Sequence, residues 1–191
     1  MDYNDVTTKT EDFCEVYRDA KEEKPCDYVE PRGRPVMMTA FTDASFASNK
    51  KTQRSHSGYV IFLNRAPILR YGKRQATVES STFSSEFLAL KVTVEAIQFL
   101  RFKLRSFGVP IMNEEAAYVY CNNQGVVKNT TKVESKMDKK HSAMAYHFVR
   151  YAVAAGMITI AWIRTGENLA DVFTKRLTVA IRDYLFGNFT Y

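Results

Sequence analysis

The sequence predicts a mixed α/β domain: a five-stranded mixed sheet with helices on both faces. Three observations predict it. Three β-like runs follow one another after Pro35, a long stretch of three- and four-residue apolar spacing comes next, and short apolar runs then alternate with helical ones toward the carboxyl end. With 46% hydrophobic residues, the 191-residue chain can bury one sizeable core, so one compact domain with an extension is expected.

Residues 1 to 35 read as an acidic leader and linker. Asp12 to Glu23 suits a short charged helix, after which Pro25, Pro31, Gly33 and Pro35 interrupt regular structure. Residues 36 to 191 read as the domain. V-M-M-T-A-F-T leads into Asp43 as a first strand, and G-Y-V-I-F-L-N and A-P-I-L-R-Y-G supply two more across short polar turns, which suits three antiparallel strands. From Thr82 to Phe107, the residues Phe83, Phe87, Leu90, Val94, Ile97 and Leu104 form the stripe of an amphipathic helix, stopped by Gly108 and Pro110. A-A-Y-V-Y-C is a buried strand, a helical stretch starts at Gln124, and a longer helix runs from about Ser142 to Ala155, ending at Gly156. I-T-I-A-W-I is the fifth strand, and short helices are expected at 168–175 and 177–186.

Charge narrows the function classes. Residues 1 to 30 hold ten acids and four bases, a balance of −6, which leaves 23 bases against 11 acids, or +12, in the rest. Lysines and arginines that neutralise phosphates gain affinity by releasing counterions, so a basic body points to a polyanionic partner, whereas a solvated surface would use the same residues for solubility. Lys50, Lys51, Arg54, Lys73 and Arg74 cluster around the first strands and are candidates for phosphate contact; Lys136, Lys139 and Lys140 fit a solvated surface. No apolar run approaches the roughly 20 residues of a membrane span and the amino terminus lacks the features of a signal peptide, so the expectation is a soluble intracellular protein, cytoplasmic or nuclear, without a membrane partner. Cys14, Cys26 and Cys121 are scattered and read as free thiols, and His56, His141 and His147 lack zinc-site spacing. Trp162, on the fifth strand, reads as packing.

In so basic a body the positions of the acids carry information. Asp43 ends the first strand, Glu86 lies one turn before the apolar Leu90, and Asp171 sits in L-A-D-V-F-T-K. Carboxylates that are partly desolvated need a counter-charge, which converging ones often find in a divalent metal. Singly, Asp43 could cap a turn, and Glu86 and Asp171 could be acids favoured by a helix dipole.

The segments F-T-D-A-S-F-A-S, R-S-H-S-G-Y-V-I-F-L-N, K-R-Q-A-T-V-E-S-S-T-F-S-S-E-F-L-A-L, Y-C-N-N-Q-G-V-V-K-N, K-K-H-S-A-M-A-Y-H-F-V-R and N-L-A-D-V-F-T-K, in that order from Val36 to Leu177, resemble the successive motifs of the ribonuclease H domains of copia-type retrotransposon polyproteins. E-V-Y-R-D-A-K-E and P-R-G-R-P resemble the connection that precedes the domain there. The resemblance implies a ribonuclease H-like fold and, by ancestry, an endonuclease that uses four acids and two Mg²⁺ ions to hydrolyse the RNA strand of RNA/DNA hybrids. Three of the four acids map onto Asp43, Glu86 and Asp171, while Asn122 stands where the family has an Asp. The expectation is reduced or lost cleavage, because two ions roughly 3.5–4 Å apart repel unless enough negative charge surrounds them. Glu79 is the nearest spare carboxylate in sequence to Glu86. The implied partners are RNA/DNA hybrid or other nucleic acid, and the reverse transcriptase region of a parent polyprotein. A non-catalytic nucleic-acid-binding module and a degenerate retroelement fragment are the alternatives.

Overall fold

The computed structural model describes residues 10–13, 15–27, 29–112, 116–135 and 143–187. Cys14, Lys136, Lys139, Lys140 and His141 lie outside the described residues. The strands are β1 (Met38–Ser45), β2 (His56–Leu63), β3 (Ala66–Arg74), β4 (Ala117–Cys121) and β5 (Ile158–Trp162), and the helices are α1 (Thr82–Ser106), α2 (Gln124–Thr131), α3 (Ala143–Ala154), α4 (Asp171–Thr174) and α5 (Val179–Phe186). They form one mixed sheet in the order β3-β2-β1-β4-β5. β1, β2 and β3 pair antiparallel, whereas β4 lies parallel to both β1 and β5. The expected five-stranded mixed sheet is therefore present.

Each sheet face has its own core, because strand residues alternate between faces. Ala40, Ile61, Val119 and Ile160 pack under α1, α2 and α3 with Phe87, Leu90, Val94 and Ile97, while Phe41, Val60, Tyr120 and Ala161 pack on the other face with Leu169, Ala170 and Leu185. The stripe read from the sequence is the buried side of α1. Ser81 caps that helix by accepting from the Ser84 amide, and Gly108, at φ +67°, ends it in the left-handed conformation that a glycine takes without strain. β3 is an edge strand, and Pro67, Arg70, Lys73 and Arg74 on it discourage pairing with another chain.

The leader does not stand apart from this body. Phe13 is only 2% exposed and belongs to the core beneath α1, with the Arg150 guanidinium 4.6 Å from its ring centre. The Glu11 carboxylate accepts from the Val133 amide at 2.7 Å, and the Tyr17 hydroxyl meets His147 Nδ1 at 2.8 Å. Glu22 reaches Arg101 at 2.7 Å and Arg105 at 2.8 Å. The composition changes near residue 35, but the packing runs across that point. The helix expected over Asp12 to Glu23 is replaced by turns among the described residues, since Phe13, Tyr17 and Glu22 are each drawn to a different anchor on the body.

Candidate active site

The carboxyl ends of β1 and β4, the first turns of α1 and the start of α4 meet at one end of the sheet. Asp43 lies near the end of β1 and is fully buried, and Glu86 and Asp171 are 5% and 4% exposed. Glu86 reaches β1 by accepting from the Ala44 amide at 3.0 Å. Asn122 immediately follows β4, and its side-chain amide donates to Asp43 Oδ1 at 3.3 Å. The Asn122 backbone carbonyl accepts from the Trp162 indole at 3.2 Å, tying it to the end of β5. The four positions singled out in the sequence are thus brought together.

A close approach of α4 to the sheet completes the cluster. Asp43 pairs in register with Gly58, and Gly58 with Gly72. A Cβ at Gly58 would lie 2.6 Å from the Thr174 methyl and 2.9 Å from Phe173 Cβ, and one at Gly72 would lie 3.1 Å from the Phe173 carbonyl oxygen. Two glycines side by side therefore let α4 settle directly over the strands. The Thr174 hydroxyl then donates to Asp43 Oδ2, and Lys175 Nζ bridges Asp43 Oδ1 at 3.1 Å and Asp171 Oδ1 at 2.8 Å. The buried Asn168 amide donates to the Thr42 carbonyl at 2.9 Å, holding the segment that leads into Asp171. Gln75 joins the end of β3 to α1 by donating to Ser57 Oγ at 2.8 Å and the Ser85 carbonyl at 2.9 Å.

The electrostatics follow from this crowding. Burial, reinforced by the Asp43 charge, pushes the Glu86 carboxyl up to about 9, so at neutral pH it carries its proton. Burial and the same neighbour raise Asp171 to about 6, with Lys175 opposing them. Burial pulls Lys175 downward, but Asp43 and Asp171 outweigh it and its pKa is raised. Cys121, buried behind the site, has its thiol pushed up by burial, which makes it a poor nucleophile.

Sequence reasoning missed Lys175, Thr174 and the Gly58–Gly72 pair. Lys175 had a signal, since it lies four residues after Asp171 and so on the same side of a helical turn. The basic candidates lie toward this end of the sheet. Lys73 and Arg74 end β3, with Arg74 opposite His56 and His56 opposite Ser45. Lys50, Lys51 and Arg54 lie on the β1–β2 connection, where the Asn49 carboxamide oxygen accepts from the Lys51 and Thr52 amides at 3.1 and 3.0 Å. Glu79 accepts from the Thr77 hydroxyl at 2.8 Å.

Two divalent ions would bring four positive charges to a cluster in which Asp43 and Asp171 already share the Lys175 ammonium. Both Asp43 oxygens are taken by donors of the chain itself, and among the described residues no three His, Cys, Asp or Glu side chains converge closely enough to hold an ion. As arranged, these residues do not fit a metal pair.

A five-stranded mixed sheet in this order, with three antiparallel strands and then two parallel ones, is the ribonuclease H-like fold. The fold matches LC11-RNase H1, solved with RNA/DNA hybrid, at a TM-score of 0.55 and 16% identity, covering 72% of this chain and 93% of that one. It also matches the N-terminal RNase H domain of a Mycobacterium tuberculosis protein at 0.54 and 12%, covering 80% and 97%. No family model matches. The homologues of the chain are Pol polyproteins of copia-type retrotransposons: it is 28% identical over 147 residues, 77% of its length, to the retrovirus-related Pol polyprotein from transposon RE1 of Arabidopsis thaliana. To the corresponding polyprotein from transposon TNT 1-94 of Nicotiana tabacum it is 27% identical over 143 residues, 75% of its length. The chain spans about a tenth of the length of these relatives. Among the described residues no helix is long and apolar enough to cross a membrane.

Proposed function

We propose that this chain is a retroelement-derived ribonuclease H-like domain that binds RNA/DNA hybrid and cleaves its RNA strand weakly or not at all. The observation that carries the reading is the meeting of Asp43, Glu86 and Asp171 with Asn122, a neutral side chain hydrogen-bonded to Asp43 where a fourth carboxylate would complete a metal cluster. The homologues support the retroelement origin, and the fold is shared with a ribonuclease H1 solved on a hybrid. In the parent polyprotein the domain would work beside a reverse transcriptase region, as in the foamy viral protease-reverse transcriptase, whose structure with hybrid contains a similar domain at a TM-score of 0.51.

Binding would run through phosphates. Lys50, Lys51, Arg54, Lys73 and Arg74 offer cations along the site end of the sheet, so affinity falls steeply with salt and depends little on sequence. In a complete cluster, Mg²⁺ ions would supply charge stabilisation and an activated water. Here Asp43, Glu86 and Asp171 would have to supply the ligands, and the charge they lack is the one at Asn122.

The test is cleavage of one hybrid substrate in Mg²⁺ by the natural protein, by Asn122→Asp and by Asn122→Asp with Asp43→Asn. The natural protein is expected to be slow or inactive, Asn122→Asp to be faster, and the double variant to lose the gain. Vigorous cleavage by the natural protein defeats the impairment, and hybrid affinity that does not change with salt defeats the phosphate-binding account. A second reading, a binding module that has left catalysis altogether, is favoured by the Lys175 ion pairs and predicts that Asn122→Asp alone restores nothing.

A further inference from the structure

The misfit between the acidic cluster and a metal pair has a constructive side. We infer that Lys175 is the resident cation of this site, a tethered ammonium that holds Asp43 and Asp171 together in place of a metal ion, and that Asn122 is matched to that metal-free state. The inference rests on reading the carboxylates as an ancestral metal cluster, but its test contains no nucleic acid, so it can fail while the hybrid-binding reading stands.

Three observations carry it. Lys175 is positioned by packing: α4 lies against Gly58 and Gly72 at distances that leave no room for a side chain, and Lys175 immediately follows its last turn. Its ammonium lies within 3.1 Å of Asp43 and 2.8 Å of Asp171, two carboxylates that are 0% and 6% exposed along their side chains, while Lys175 itself is 30% exposed. Finally, donors of the chain reach both oxygens of Asp43. Oδ1 receives Lys175 and the Asn122 amide, and Oδ2 receives the Thr174 hydroxyl. An aspartate at 122 would present a like charge to Asp43 and would call for a cation between them, whereas the asparagine donates a hydrogen bond and needs none. A buried carboxylate with chain donors on both oxygens is already solvated by the protein.

The experiment is thermal unfolding of the natural chain, Lys175→Arg, Lys175→Met and Lys175→Met with Asp43→Asn, in EDTA and in rising MgCl₂ with ionic strength matched by NaCl. The natural chain and Lys175→Arg should melt at the same temperature with or without Mg²⁺. Lys175→Met should melt about 10 °C lower in EDTA, the scale expected for stripping the counter-charge from a buried pair, and should recover most of that in MgCl₂. The double variant, lacking both the cation and one charge it neutralises, should regain stability in EDTA, which keeps the test decisive if Lys175→Met does not fold. Trp162 is the single tryptophan and is bonded to Asn122, so it should sensitise Tb³⁺ luminescence in Lys175→Met and not in the natural chain. Mg²⁺ stabilisation or Tb³⁺ emission of equal size in the natural chain overturns the inference. So does a Lys175→Met defect relieved by neither Mg²⁺ nor Asp43→Asn.

Discussion

The two ends of α1 each meet a carboxylate taken out of water, and the two are opposites. Glu86, near the amino end, lies among acids and is pushed up to about 9 by burial and the Asp43 charge. Glu22 comes from the leader to the carboxyl end, where burial would raise its pKa too, but hydrogen bonds and charges from Arg101 and Arg105 outweigh it and hold it at about 2. Arg101 and Arg105 are themselves only 1% and 3% exposed. The environments lie about 22 Å apart along the helix, from 15 residues at about 1.5 Å each. Burial acts the same way at both ends, so the partner decides the charge state: at neutral pH one end is an ion-paired clamp and the other a strained acidic cluster relieved by a proton and Lys175.

Removing the clamp should have the largest effect. Glu22→Ala takes the shared carboxylate from two buried guanidinium groups and is expected to cost about 3–5 kcal/mol, measured by urea unfolding. The same variant should make the chain between Pro25 and Pro35 easier to cleave in limited proteolysis. A cost below about 1 kcal/mol would erase the contrast between the two ends.

Glu86→Gln should cost far less at pH 7, about 1 kcal/mol or under, because the native carboxyl already carries its proton and the amide has nearly its shape. Its clearer signature is in the pH profile. A folded pKa raised from 4.5 to about 9 contributes stability that is full below about 4.5 and is lost as pH climbs toward 9. Asp171, raised from 3.8 to about 6, adds to the lower part of that decline. Glu22, lowered from 4.5 to about 2, contributes stability present above 4.5 and lost as pH falls toward 2. Unfolding free energy followed from pH 2 to 9 should therefore flatten on its alkaline limb in Glu86→Gln and on its acid limb in Glu22→Gln. Matching profiles in the two variants would contradict the assignment.

The smallest effect is expected midway along the same helix. Lys91 and Glu95 form an i, i+4 pair at 2.6 Å with side chains 30% and 46% exposed, and water competes with such a pair. The coupling between them, from a double-mutant cycle, should be about 0.3–0.5 kcal/mol and should shrink in salt. A value near that of the Glu22 clamp would mean that burial is not what separates strong pairs from weak ones here.

Much of this molecule was legible beforehand because its signals are local. The period of two in G-Y-V-I-F-L-N, the stripe from Phe87 to Ile97 and the glycine stops at 108 and 156 each lie within one element, and each element formed where expected. Asp43, Glu86, Asn122 and Asp171 were legible only jointly, as ordered motifs. In residues 1 to 35 composition records acidity, whereas Phe13 and Tyr17, four residues apart within them, carry packing that no composition shows.

The sequence by itself determined the order of the five strands and of the helices between them, the basic body and the asparagine at 122, since each is a property of residue type and spacing. Only the tertiary structure decided that Gly58 and Gly72 admit α4, that Lys175 neutralises Asp43 across 132 positions of chain, and that Glu22 closes on two arginines of α1. The reason is physical. A carboxylate's charge state depends on which groups share its low-dielectric surroundings, and those groups are chosen by packing between segments far apart in the chain.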